Sequence, residues 1–141
     1  VLSWTDTEIN FEVNANSILS AGVYDVSIGN GEYVFPQAFE LMKPELNVTQ
    51  VITARLGDQL SLTGKYFGFS KSQFRIFFYP KSASGKKRYA EIDSWYMKPV
   101  SGDSTCTFTI PESTTPLGEY FIRARTVIDY SDLYDGIIIT E

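Results

Sequence analysis

Histidine is absent from the sequence, and with it go the commonest general base, the commonest zinc ligand and the usual nucleophile triads. Cysteine occurs once, as Cys106, so no intramolecular disulfide can form and the redox compartment cannot be read from thiols. Phe108 and Ile110 share the face of Cys106 on an alternating segment, which leads us to expect a buried, inert thiol. No apolar run approaches the roughly 20 residues that span a bilayer, and no charged-then-apolar leader opens the chain. The expectation is a soluble chain without a targeting signal of its own. Its opening at Val1, inside a strand approach, reads as a processed or excised piece of something longer.

A basic field is lacking too. Residues 1–44 hold six acids and the single base Lys43, and so account for the whole net charge of −5. Residues 45–141 hold eleven of each sign and balance to zero. Nucleic-acid binding usually needs a strong positive field, and neither half offers one.

What the chain does have is apolar material of the strand-forming kind. Hydrophobic residues make up 43% and aromatics 15%, with β-branched and aromatic side chains dominant. An all-β protein follows. Its clearest segment is Gly57-Asp58-Gln59-Leu60-Ser61-Leu62-Thr63-Gly64-Lys65-Tyr66-Phe67-Gly68. Here Leu60 and Leu62 share one face and Gln59, Ser61 and Thr63 the other. Gly64 and Gly68 bracket a tight turn, suited to positive φ, that can tuck Tyr66 or Phe67 beneath the sheet.

The chain also repeats itself. Residues 5–13 fall on residues 102–110 at an offset of about 97, each a polar turn entering an alternating strand. Gly22-Val23-Tyr24-Asp25-Val26-Ser27-Ile28 then falls on Gly118-Glu119-Tyr120-Phe121-Ile122-Arg123-Ala124, with one residue less between the blocks. Nearly sixty residues precede the second copy within its module but only four precede the first. Residues 1–43 therefore read as the C-terminal half of a preceding module and residues 44–141 as a complete one. Such a remnant is expected to expose an unpaired edge and an apolar face, and to pack on the complete module or a neighbouring chain.

The first half carries expected strands at 8–13, 23–28 and 32–41, the last two joined at Gly29-Asn30-Gly31, with residues 42–45 as linker. Further strands are expected at 48–54, 59–64 and 74–79, the last buried on both faces and stopped by Pro80. A basic loop at 81–88, one strand at 89–96 and a turn at 97–103 come next. Strands at 104–110 and 118–127 follow, then a polar connection at 128–136 and a last strand at 137–140. Seven or so short strands in about 95 residues have the rhythm of an immunoglobulin-like sandwich, although no Cys…Trp…Cys framework of the antibody type is present.

The segment from Gly57 to Gly68 resembles the opening motif of the IPT/TIG immunoglobulin-like modules. Thr107-Phe108-Thr109-Ile110-Pro111 and Pro116-Leu117-Gly118-Glu119-Tyr120-Phe121-Ile122 are similar to that family's close. The loop at 81–88 and the connection at 128–136 are longer than a minimal module needs. The resemblance implies an all-β IPT/TIG sandwich preceded by a partial module, similar to the tandem modules of bacterial surface glycan-binding or adhesin-like proteins. It implies a non-catalytic spacer or interaction element at the outer cell surface or outside the cell, without cofactors. Its partners would be adjoining domains of the same protein or another copy of the chain. No nucleic acid and no membrane span are expected, and a polysaccharide is the further partner of an alternative reading, a carbohydrate-binding module using loop aromatics.

Each candidate site has a plain structural reading beside it. Glu91 and Asp93, with Asp103 and Glu112, offer carboxylate pairs, but two residues apart on a strand places the first two on one solvated face. Asp129, Asp132 and Asp135 recur every third residue as calcium-type oxygens, yet not at EF-hand spacing. Lys81 with Lys86, Lys87 and Arg88 suits phosphate or simply a soluble hairpin tip. Trp95, Tyr96, Tyr130 and Tyr134 are the candidate ligand-binding residues, since rings near loops stack on sugar faces; core packing is the competing role. Trp95 and Tyr96 point to opposite sides of a strand, so one of them is expected in the core.

Overall fold

The computed structural model describes residues 1, 3–11, 20–82, 86–112 and 117–141. Two small antiparallel pairs come first. β1 (Ser3–Trp4) pairs with β2 (Ile9–Asn10), and β3 (Gly22–Ile28) pairs with β4 (Tyr33–Leu41). Glycine at 29 and 31 and Asn30, all with positive φ, close the β3–β4 turn where the sequence calls for it. Residues 12 and 13 of the expected first strand lie outside the described residues.

The rest is an immunoglobulin-like sandwich. One sheet runs β10 (Ile92–Met97), β11 (Asp103–Thr109), β7 (Gln59–Lys65), β5 (Glu45–Leu46). The other runs β6 (Ile52–Arg55), β13 (Tyr134–Thr140), β12 (Gly118–Arg125), β8 (Arg75–Pro80), β9 (Arg88–Ala90). In immunoglobulin lettering β5, β7, β11 and β10 are A, B, E and D, and β13, β12 and β8 are G, F and C. The first strand is split between sheets. β5 pairs antiparallel with β7, and β6 crosses to pair parallel with β13.

Between the sheets lies one apolar cluster. Leu62, Phe67, Phe74, Ile76, Phe78, Phe108, Ile122 and Ile139 are all buried in it. Full burial of one such side chain stabilises by about 1.5–3 kcal/mol. Cys106 sits in the same cluster, 1% exposed, and burial pushes its thiol up to about 12.

The Gly57 to Gly68 segment forms the inward seam. Leu62 is buried and Leu60 packs on the cluster, as the alternation requires. Gly64 is the next inward position and is not in a positive-φ conformation; it is small because Phe67 folds back beneath it, and a Cβ there would come within 2.7 Å of the Phe67 ring. Phe67 is the ring tucked under the sheet, stacked on Phe74 at 4.4 Å. Tyr66 takes φ +59° and Gly68 +86° to make the reversal.

Four expected boundaries are corrected. β5 begins at Glu45, inside the expected linker, because the buried Pro44 docks the chain directly against the sandwich. The strand expected at 48–54 is confined to Ile52–Arg55, after the crossing between sheets. β13 starts at Tyr134, within the expected polar connection. The single strand expected at 89–96 is two strands, β9 and β10, in different sheets. Ala90 and Ile92 are buried on either side of the exposed Glu91, so the apolar alternation passes unbroken through the crossing and hides it from the sequence. β8 is covered on both faces and ends at Pro80, as expected.

Candidate functional site

The repeat seen in the sequence is also a repeat of geometry. Gly22 lies opposite Leu41 and Tyr24 opposite Phe39, just as Gly118 lies opposite Ile139 and Tyr120 opposite Ile137. Both glycines have positive φ, +155° and +135°. A register irregularity follows each tyrosine, between Tyr24 and Val26 and between Tyr120 and Phe121. The β3–β4 hairpin thus repeats β12–β13.

The first hairpin repeats as well, by a signal the sequence reading missed. Ser3 pairs with Asn10 and Trp4 with Ile9, while Ser94 pairs with Thr107 and Trp95 with Cys106. Side chains bridge both pairs: Asn10 Nδ2 donates to Ser3 Oγ at 3.0 Å, and the Ser94 and Thr107 hydroxyls are 2.7 Å apart. Four residues separate Trp4 from Ile9 but ten separate Trp95 from Cys106, so a fixed-offset comparison cannot align the two Ser-Trp pairs.

The matching tryptophans have different surroundings. Trp95 packs on the core, and its indole N–H donates to the Phe67 carbonyl at 3.1 Å. Trp4 is 67% exposed. With Ile9, Phe11, Val26, Ile28 and Phe35 it borders an open depression of about 570 Å³. In the sandwich β7 and β8 extend the two sheets beside β11 and β12 and contribute Leu62, Ile76 and Phe78 to the buried cluster.

The two parts meet at a defined junction. Leu41 and Pro44 are buried. Lys43 Nζ lies 2.6 Å from Asp132 Oδ1, and this contact holds the Asp132 carboxyl below the usual carboxylate range and raises Lys43. Leu41 and Met42 face Tyr66, Phe69, Met97 and Ile128 around a cavity of about 260 Å³.

The four candidate ligand residues are not brought together. Trp95 and Tyr96 lie on β10, Trp95 inward and Tyr96 outward, 56% exposed. Tyr96 borders a shallow depression of about 560 Å³ with Thr63, Lys65, Lys98 and Asp103. Tyr134, on the other sheet, packs on the core. Tyr130, in the connection before it, makes a bridge with Arg125 and lies under the Arg123 and Arg125 guanidiniums at 4.7 and 5.2 Å.

The charged candidates separate too. Glu91 stands at the crossing between sheets and does not share a strand with Asp93. Asp93 accepts from Gln59 Nε2 at 3.1 Å and Thr109 Oγ1 at 2.8 Å, and these bonds lower its carboxyl, which suits a fixed acceptor rather than a proton donor. Asp103 accepts from Ser101, and Glu112 lies against Gly57. In the three-residue series, Asp129 accepts the Tyr130 N–H at 2.7 Å, Asp132 pairs with Lys43 and Asp135 with Lys81 at 2.6 Å. Among the described residues no group of three or more Cys, Asp or Glu is placed to hold a metal ion. Of the basic loop, residues 83–85 lie outside the described residues. Lys87 caps the Phe77 ring at 4.6 Å, and the Asp135 contact raises Lys81. Among the described residues no helix is long and apolar enough to cross a membrane. No family profile matches the sequence, and no curated protein matches it either.

Proposed function

We propose that the chain is a non-catalytic spacer and interaction element of an extracellular or cell-surface protein. In this reading residues 1–43 are the C-terminal half of one IPT/TIG-like module and residues 44–141 the whole of the next. The observation that carries it is the double hairpin correspondence, in which partner residues, glycine conformations and irregularities recur. Repetition of one structural unit along a chain is how elongated proteins set distance. A buried Leu41 and Pro44 together with the Lys43–Asp132 pair supply stiffness at the join, where an unpacked linker would leave the parts free.

The measurement is the distance distribution between spin labels at Ser27→Cys and Ser61→Cys in a Cys106→Ala background. A narrow distribution is expected, broadening in Asp132→Asn. The pH dependence has a defined sign. Asp132 is lowered in the folded chain, so its tie is intact above the ordinary carboxylate range and is lost as pH falls through the folded value. A distribution at neutral pH as broad as a free linker's would refute the spacer reading.

A further inference from the structure

The outward face of the β8–β9–β12 sheet is unlike the rest of this acidic chain. Cross-strand partners place Phe121 beside Tyr79, Arg123 beside Phe77, Arg125 beside Arg75, and Phe77 beside Tyr89, all on the side away from the buried Ile76, Phe78 and Ile122. Ring centroids step across it at 5.8 Å from Tyr89 to Phe77 and 6.1 Å from Phe77 to Tyr130, with Tyr79 6.4 Å from Phe77. Cations sit over these rings: Lys87 over Phe77 and Tyr79, Arg123 and Arg125 over Tyr130. The sheet's outward acids, Glu119 and Asp135, stand at the far end, tied to Lys81. Asp129, nearest Tyr130, accepts that residue's own N–H.

We propose that this face binds a linear anionic polysaccharide, of the uronate-bearing class. Sugar rings present C–H faces that stack on exposed aromatic rings, here Tyr89, and their carboxylates are the bidentate partners that arginine forks prefer. Tyr89 is exposed, Tyr79, Phe121 and Tyr130 are half-buried and Phe77 is buried beneath them, and such a shallow strip suits a chain lying across the sheet better than a small molecule, which wants an enclosing pocket. Tyr, Phe and Arg are enriched at protein interfaces as well, so an acidic polypeptide is the competing occupant, which polyglutamate reports in the test below. Tyr89 is 52% exposed and Arg125 is exposed, so both are open to a ligand. This inference is independent of the spacer reading, which is tested by distances and not by binding.

The test is native electrophoresis of the full chain through gels containing polygalacturonate, neutral dextran or polyglutamate. Retardation is expected in polygalacturonate alone. Tyr89→Ala and Arg125→Glu, both at exposed positions, should each weaken it about tenfold or more, the weight of one charged hydrogen bond or stacking contact, at unchanged melting temperature. Three results overturn the proposal: no retardation, equal retardation by polyglutamate or dextran, or retardation that survives Tyr89→Ala but is lost in Tyr96→Ala.

Discussion

Replacing Gly64 with alanine adds one methyl group at the most crowded point of the seam. The new Cβ would meet the backbone carbonyl of Glu45 and stand 2.7 and 2.9 Å from two carbons of the Phe67 ring. Neither neighbour yields cheaply. The Glu45 carbonyl belongs to β5, which is held to β7 through Glu45 opposite Lys65 and Leu46 opposite Gly64, with the Asn47 N–H donating to the Thr63 carbonyl at 2.9 Å just beyond. Phe67 is fully buried and stacked on Phe74, and its carbonyl receives the Trp95 indole. Overpacking of this kind costs about 1–3 kcal/mol, and displacing β5 loses a ladder bond worth about 1 kcal/mol. Against this, alanine restricts the unfolded chain and returns about 0.4–1 kcal/mol. The net expectation is a loss of about 2 kcal/mol, or about 5–10 °C in melting temperature. Urea unfolding followed by Trp95 fluorescence, in a Trp4→Phe background that leaves one indole, measures it. The folded emission should also shift red as Phe67 moves. A Gly64→Ala chain as stable as its parent, with unshifted emission, would refute the close-approach argument.

Cys106 gives a pH-dependent prediction. Its thiol is raised from an ordinary value of 9.0 to about 12, so the folded chain keeps the proton after the unfolded chain has lost it. Stability from this group is therefore full below pH about 9 and drains as pH rises towards 12, by about 1.4 kcal/mol for each unit. The urea midpoint of the wild type should fall towards that of Cys106→Ala between pH 8 and 10.5; parallel curves would contradict it. Trp95→Phe keeps the packing ring but strands the buried Phe67 carbonyl, costing about 1–2 kcal/mol, which equilibrium unfolding would show.

Much of this fold is written in local pattern. Leu60 and Leu62, Cys106 with Phe108 and Ile110, and the Gly29 to Gly31 turn behave as their alternation and glycines dictate, because strand periodicity is a property of neighbouring residues. The β9 to β10 crossing escapes for the same reason: Ala90, Glu91 and Ile92 keep perfect alternation while changing sheets, and sheet membership is a long-range fact. Gly64 reads as a turn glycine, although its smallness answers to Glu45 and Phe67, which only the fold brings near. The candidate aromatics show the sharpest limit. Trp95, Tyr96, Tyr130 and Tyr134 look like one set in the sequence, yet strand direction sends two inward. Tyr130 instead joins Phe77, Tyr89, Arg123 and Arg125, whose only sequence trace is same-face spacing on separate strands.

The split first strand has a mechanical consequence. Ile52 to Arg55 of β6 run parallel to Ile137 to Thr140 of β13, and the Thr140 hydroxyl adds a bond to the Ala54 carbonyl at 3.4 Å. Tension applied at the two ends of residues 45–141 would first peel the two-residue β5 from β7. It would then reach β6 and β13 from opposite ends, so their bonds would be strained together in shear rather than opened one at a time. Resistance to forced unfolding is set by the unfolding rate, and it would rest on those four residue pairs, out of proportion to their small share of the buried core.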